Sequence, residues 1–159
     1  MKSYYRLMLG KQSKFAKECF EGGYVGTDFE IQRDLTGSLP DDWRTFNKTH
    51  IPEYMANVPG KTKIAAGLAC GALWTVSKGI KAGDIVLCPD GMGNYYVGSV
   101  TGDYYYAEGS SLPHRRNVRW LDVRIPRSEM SEALQRSAGS IGTSCQITDY
   151  AEEIERFIG

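Results

Sequence analysis

Histidine, clustered cysteine and excess charge are all scarce in this chain, and each shortage removes a class of function. Only two histidines occur, His50 and His114, and neither stands in an HExxH motif or in a spacing that partners a Ser or Cys nucleophile. The segment GMGNYY at 91–96 leaves the dinucleotide-binding pattern after its second glycine. Asp28-x-Glu30 lacks the lysine two residues on that would complete a nuclease set. The chain is therefore expected to be a binding domain with no catalytic residue, metal or cofactor of its own. The four cysteines, Cys19, Cys70, Cys88 and Cys145, include no CxxC pair, and three lie inside apolar helix or strand patterns. They read as reduced core residues rather than zinc ligands or disulfides.

Nineteen basic residues balance nineteen acidic ones, so net charge announces no polyanion, and any nucleic-acid surface must come from local segregation of charge. No run reaches the roughly 20 apolar residues of a membrane span. MKSYYRLML has no small-residue cleavage site. A cytoplasmic location without a membrane partner is expected. Repeats and low-complexity linkers are also missing. A chain of 159 residues, 42% of them hydrophobic, is expected to be a single domain, and by size scaling buries roughly 70% of its unfolded surface.

Glycine, at 18, and tyrosine, at 10, are plentiful, and they concentrate between Lys81 and Trp120. Ile85-Val86-Leu87-Cys88, an Asp90-Gly91 turn and the return through Tyr95 to Thr101 form the pattern of an antiparallel hairpin. A third strand is expected over 117–123. Glycines at 83, 91, 93, 98 and 102 let a small sheet coil on itself, as the wall of a barrel does. Tyr104, Tyr105 and Tyr106, followed by His114, Arg115 and Arg116, set rings beside cations, the combination a nucleic-acid reader uses.

Elsewhere, Tyr4 to Leu9 alternates as a strand. Ser13 is a candidate cap for a helix carrying Phe15, Cys19 and Phe20 and ending at Gly22-Gly23, and Tyr24 to Phe29 follows as an extended piece. Between Asp34 and Pro59, either a long loop or a short helix capped by Asp41 or Asp42 fits the pattern. Thr62 to Lys78 is the strongest helix, with Ile64, Ala65, Leu68, Ala69, Ala72, Leu73 and Val76 on its apolar face and Trp74 on the far side. Ser128 to Ser131 cap a helix with Met130, Leu134 and Ala138 inward, Ser144 to Ile147 is a last strand, and Asp149 caps a terminal helix carrying Ile154, Phe157 and Ile158.

The succession LW, IKAGDIVLCPDG, YYVGSVTGDYYY, HRRNVRWL and IPRS, with Gly83-Asp84, Gly98-x-Val-Thr-Gly-x-Tyr and Arg116-x-Val-x-Trp inside it, resembles the N-terminal reader domain of Mrr-like, modification-dependent restriction endonucleases. That domain is similar to the PUA-like group that includes EVE and YTH domains. The resemblance implies an α+β fold in which a barrel of five or six strands is flanked by helices and accepts one flipped, modified base. Carried over by position, its pocket is formed by Gly10 and Lys11, by Tyr24, Thr27, Asp28 and Phe29, and by the loop from Tyr104 to His114. YTH domains wall the base with tryptophans; here Tyr24 and Tyr105 stand at those points. The implied partners are double-stranded DNA containing the modified base and a linked nuclease beyond this chain.

Several of these residues keep two readings. Asp28 is a candidate acceptor for an exocyclic amine, or a turn residue. His114, Arg115 and Arg119 are candidate phosphate contacts, or members of an ordinary solvated strand. Trp43 and Trp74 either pack or stack on a base and fill the space it leaves. Arg116, sharing a face with Trp120, is expected to pair with Asp103 or Asp122. Two other functions remain open: a PUA-like binder of single-stranded or modified RNA, and an interaction barrel that binds no nucleic acid.

Overall fold

Asp90 and the two glycines that follow it make the central hairpin. The Asp90 carboxylate accepts from the backbone N–H groups of Met92 (2.7 Å) and Asn94 (3.1 Å), and Gly91 and Gly93 adopt φ of 83° and 91°, values that only glycine reaches without strain. The turn joins β3 (Ile85–Pro89) to β4 (Asn94–Tyr106), and β5 (His114–Pro126) continues the meander. The computed structural model describes every residue from Met1 to Gly159. Ahead of this hairpin come β1 (Tyr4–Leu7), α1 (Ala16–Gly22), β2 (Tyr24–Thr27), α2 (Trp43–Asn57) and α3 (Lys63–Trp74), which runs on into a π-helical turn at Thr75–Gly79. After it come α4 (Glu132–Ala138), β6 (Ser144–Gln146) and α5 (Ala151–Ile158).

The strands form one six-stranded mixed sheet in the order β2-β5-β4-β3-β1-β6. Only β1 and β3 run parallel; every other pair is antiparallel. Register breaks in β4, between Tyr96 and Gly98 and between Val100 and Tyr104, add twist as bulges do. The sheet coils but stays open, with β2 and β6 at its edges and no ladder between them. The expected α+β class and flanking helices are present, whereas the barrel is not closed.

Both faces of the sheet are covered, which explains the unbroken apolar run of β3. Alternation sends Val86 and Cys88 into a cluster with Leu7, Val25, Val100 and Val118 under α1, and Ile85 and Leu87 into a second with Leu134 of α4 and Ile154 of α5. A third cluster joins α2 and α3 to Ile31 and Leu35 through Phe46, Tyr54, Cys70 and Leu73.

Several sequence expectations change here. The stretch open between loop and short helix is the 15-residue α2, capped by Asp42, whose carboxylate accepts from Thr45 N–H. Its inward face is Phe46, Asn47, His50 and Tyr54, half of it polar, so an apolar count passes over it. On α3 the buried stripe is Ala66, Ala69, Cys70 and Leu73. Ile64 and Leu68, expected inside, are 80% and 74% exposed, because α3 approaches α2 along its small residues. Ser13 is not a cap, since its hydroxyl lies against the Met8 sulfur; nor does Asp149 cap α5, where Tyr150 holds the N-cap position without a side-chain bond. Arg116 meets no carboxylate: its Nε donates to Gly102 O and its Nη1 to Val76 O and Ile80 O. Ser131 does cap α4, and Thr62, read only as the start of its helix, also caps α3.

Candidate functional site

Two strands end beside one another with left-handed backbone. After β1, Gly10 has φ of 81°, and Gln12 and Ser13 follow at 56° and 61°. After β2, Phe29 and Glu30 stand at 58° and 57°. These four are the chain's only non-glycine residues with positive φ. Each such conformation costs on the order of 1–3 kcal/mol, and strain of this kind gathers at functional sites. Between the two strand ends lies a cavity of about 570 Å³, lined by Gly10, Lys11, Thr27, Asp28 and Phe29, and also by Phe15, Met8, Ser111 and Leu112. Gly10 is required there, because a Cβ would fall 2.5 Å from the Phe15 ring.

Buried polar groups hold the surrounding segments. Arg6, 1% exposed, donates to the carbonyls of Ser140, Gly142 and Thr143. It thereby fastens the loop whose Gly142 and Thr143 complete the cavity. On the other side, Leu35 N–H donates to the Tyr104 hydroxyl (3.0 Å), which lies 2.8 Å from His114 Nδ1, and His114 Nε2 lies 2.5 Å from Ile31 O. Read as a network, Tyr104 donates to Nδ1 and Nε2–H donates to the carbonyl, which requires a neutral imidazole. Burial lowers the His114 pKa against the opposing pull of the Ile31 carbonyl. The Asp28 carboxylate accepts from Gln32 Nε2 at 2.5 Å. Burial, and then the charge of Glu30, pushes its pKa up.

Gly10, Lys11, Thr27, Asp28 and Phe29 are thus brought together, and Asp28 combines a turn-forming bond with a place in the cavity wall. Four other residues assigned to the pocket do not line it. Tyr24 is buried, donates to Glu18 (2.6 Å), and has the Arg115 guanidinium 3.8 Å above its ring. Tyr105 bonds Asn117 on the other face of the sheet. Trp74 donates to Pro40 O and packs over Gly79. Trp43, 43% exposed, borders an adjoining groove along α3 that shares only Gly142 and Thr143 with the cavity.

The expected phosphate contacts also change. His114 is fully buried and cannot reach a phosphate. Arg115 is engaged by Tyr24 and by Leu112 O. Arg119 alone is exposed, five positions beyond His114 and so roughly 17 Å along the strand.

Sequence reasoning passed over Phe15, Arg6 and the 140–143 loop. Phe15 was assigned to a helix face, although it sits ahead of α1. A charged residue in the middle of the apolar run YYRLML was the available sign of Arg6. No group of three or more His, Cys, Asp or Glu side chains is placed to share a metal ion, and no helix is long and apolar enough to cross a membrane. The buried thiols of Cys19 and Cys70 are pushed up to about 12 and 11 by desolvation, which leaves them unreactive.

A family model described as a domain of unknown function, DUF8426, matches residues 5–146. The chain belongs to this family. Tyr5, the second residue of β1, and Gln146, the last of β6, are register partners in the sheet. The DUF8426 match therefore spans the six strands, Tyr4 of β1 excepted, and the whole cavity, and leaves α5 outside. No curated protein matches the chain.

Proposed function

We propose that this chain is a DNA-binding specificity module that receives one modified base, methylated or hydroxymethylated, in the cavity between the ends of β1 and β2, and so directs a linked nuclease to modified DNA. The observation that carries the reading is that three of the four strained non-glycine residues, Gln12, Phe29 and Glu30, line one cavity of a size that takes a small ligand, about 300–1,000 Å³. On this reading the coiled sheet is the wall of a PUA-like barrel.

Extruding a base costs a few kcal/mol, and stacking on an aromatic ring returns about 1–3 kcal/mol per base. Phe15 and Phe29 are the rings in position, replacing Tyr24 and Tyr105. Asp28 accepts from the exocyclic amine of adenine or cytosine. A methyl group adds only on the order of 1 kcal/mol by burial, so selectivity depends on the shape of the wall that Arg6 and His114 hold. Ile141, wholly exposed at the tip of the Arg6-held loop, stands where an apolar side chain can enter the gap left in the duplex.

The test is a fluorescence titration against matched duplexes carrying an unmodified site, N6-methyladenine, 5-methylcytosine or 5-hydroxymethylcytosine, with one ribo version. One modified duplex is expected to bind tightest, and Asp28→Ala to remove that preference while Arg119→Ala weakens all duplexes alike. Equal affinity for all four duplexes would end the proposal. Tighter binding of the ribo strand would transfer it to RNA.

A further inference from the structure

The segment that leaves the base cavity at Glu30 runs on to a second recess. It has a volume of about 410 Å³, and its polar lining is Thr36, Ser77, Lys78, Lys81, Asp103 and Arg116. Ser77 is 3% exposed, and its Oγ has no hydrogen-bond partner. A serine inside a helix ordinarily turns its hydroxyl back to the carbonyl one turn earlier, and here the π-helical turn at Thr75–Gly79 breaks that arrangement. Single π turns of this kind are frequent at functional sites. An unpaired buried hydroxyl is costly, and a bound acceptor would relieve that cost.

The charges around that hydroxyl are mostly positive. Arg116 uses Nε and Nη1 on the carbonyls of Gly102, Val76 and Ile80. Its Nη2 makes no bond within the protein. Lys81 is exposed, and its ammonium forms no ion pair. The Lys78 ammonium has only Asp41, 3.5 Å away and 98% exposed, a pairing that holds little in water. Asp103, also exposed, is the one carboxylate on the lining. Three cations and a free hydroxyl facing one recess are donors in want of a tetrahedral oxyanion.

We propose that this recess binds a phosphate group, with Ser77 and Arg116 as its fixed donors and Lys78 and Lys81 closing over it. The phosphate is supplied either by a nucleic-acid backbone or by a small phosphorylated ligand. The inference goes beyond base reading and does not need it: base modification plays no part in the site.

The test is an amide-shift NMR titration of the full chain with two probes, inorganic phosphate and an unmodified single-stranded oligonucleotide. Saturable shifts confined to residues 77–82 and 103–104 are expected, and the probe that saturates at lower concentration identifies the source. Lys78→Ala/Lys81→Ala, at two exposed side chains, is expected to keep the folded spectrum and weaken binding at least tenfold. Ser77→Ala, which also removes an unpaired group, is expected to weaken it several-fold without loss of stability. Shifts absent with both probes, or unchanged in the double lysine variant, would overturn the site. A preference for modified DNA that survives the lysine changes while the phosphate shifts vanish would separate the two ideas.

Discussion

His114, at the start of β5, has both ring nitrogens in use, so adding a proton would force the Tyr104 contact to reverse. Its folded pKa lies below the ordinary 6.5, and the unfolded chain therefore takes up the proton first. Stability is full above 6.5 and falls as pH drops from there toward the lower folded value. Urea midpoints measured across that range should decline for the wild type and stay flat for His114→Gln; a flat wild-type curve would mean that the ring is not held neutral. Gly26 is a second site where one atom matters. An added Cβ would sit 3.0 Å from His114 O and 3.1 Å from Leu112 O, both backbone atoms that cannot swing aside. Gly26→Ala should therefore part β2 from β5, lowering thermal stability and ligand binding together.

At the scale of elements, the exposed flank of α3 separates pattern from packing. Ile64→Ser and Leu68→Ser should each change stability by less than about 0.5 kcal/mol, as surface substitutions do. Leu134→Ala in α4, at a site with no exposure, should cost about 2–5 kcal/mol. Urea denaturation distinguishes the two, and a large loss at Ile64 would restore the face expected from periodicity. The caps are a milder case. Thr62→Ala should cost about 1 kcal/mol, with Thr62→Ser close to wild type. Legibility at this scale follows the nature of the signal. The β3–β4 hairpin and the cap at Ser131 were readable because they are set by turn and cap chemistry within a few residues. The length of α2 was hidden because its buried face uses Asn47 and His50, which count as core only after α3 has covered them.

At the scale of the molecule, the segment 28–39 ties the cavity at Asp28 and Phe29 to the recess at Thr36, and the Tyr104–His114 pair pins it between them. Tyr104→Phe removes the acceptor for Leu35 N–H. Hydrogen exchange should then quicken at Leu35 while the amides of β3 keep their protection; an unchanged rate at Leu35 would show that packing alone holds the segment. Arg6 serves the opposite wall through three carbonyls contributed by residues more than a hundred positions away.

The sequence by itself determined the rough places of the strands, most of the helices and the α+β class, since alternation, glycine turns and caps act over short stretches of chain; Gly10, Lys11, Thr27, Asp28 and Phe29 came from the family resemblance and not from those local signals. Only the tertiary structure decided that the sheet stays open, that Tyr24 is covered by Arg115, that His114 is buried and that Phe15 faces the cavity. Those outcomes depend on which side chain fills the space first between segments far apart in sequence, and that competition for burial leaves no local pattern.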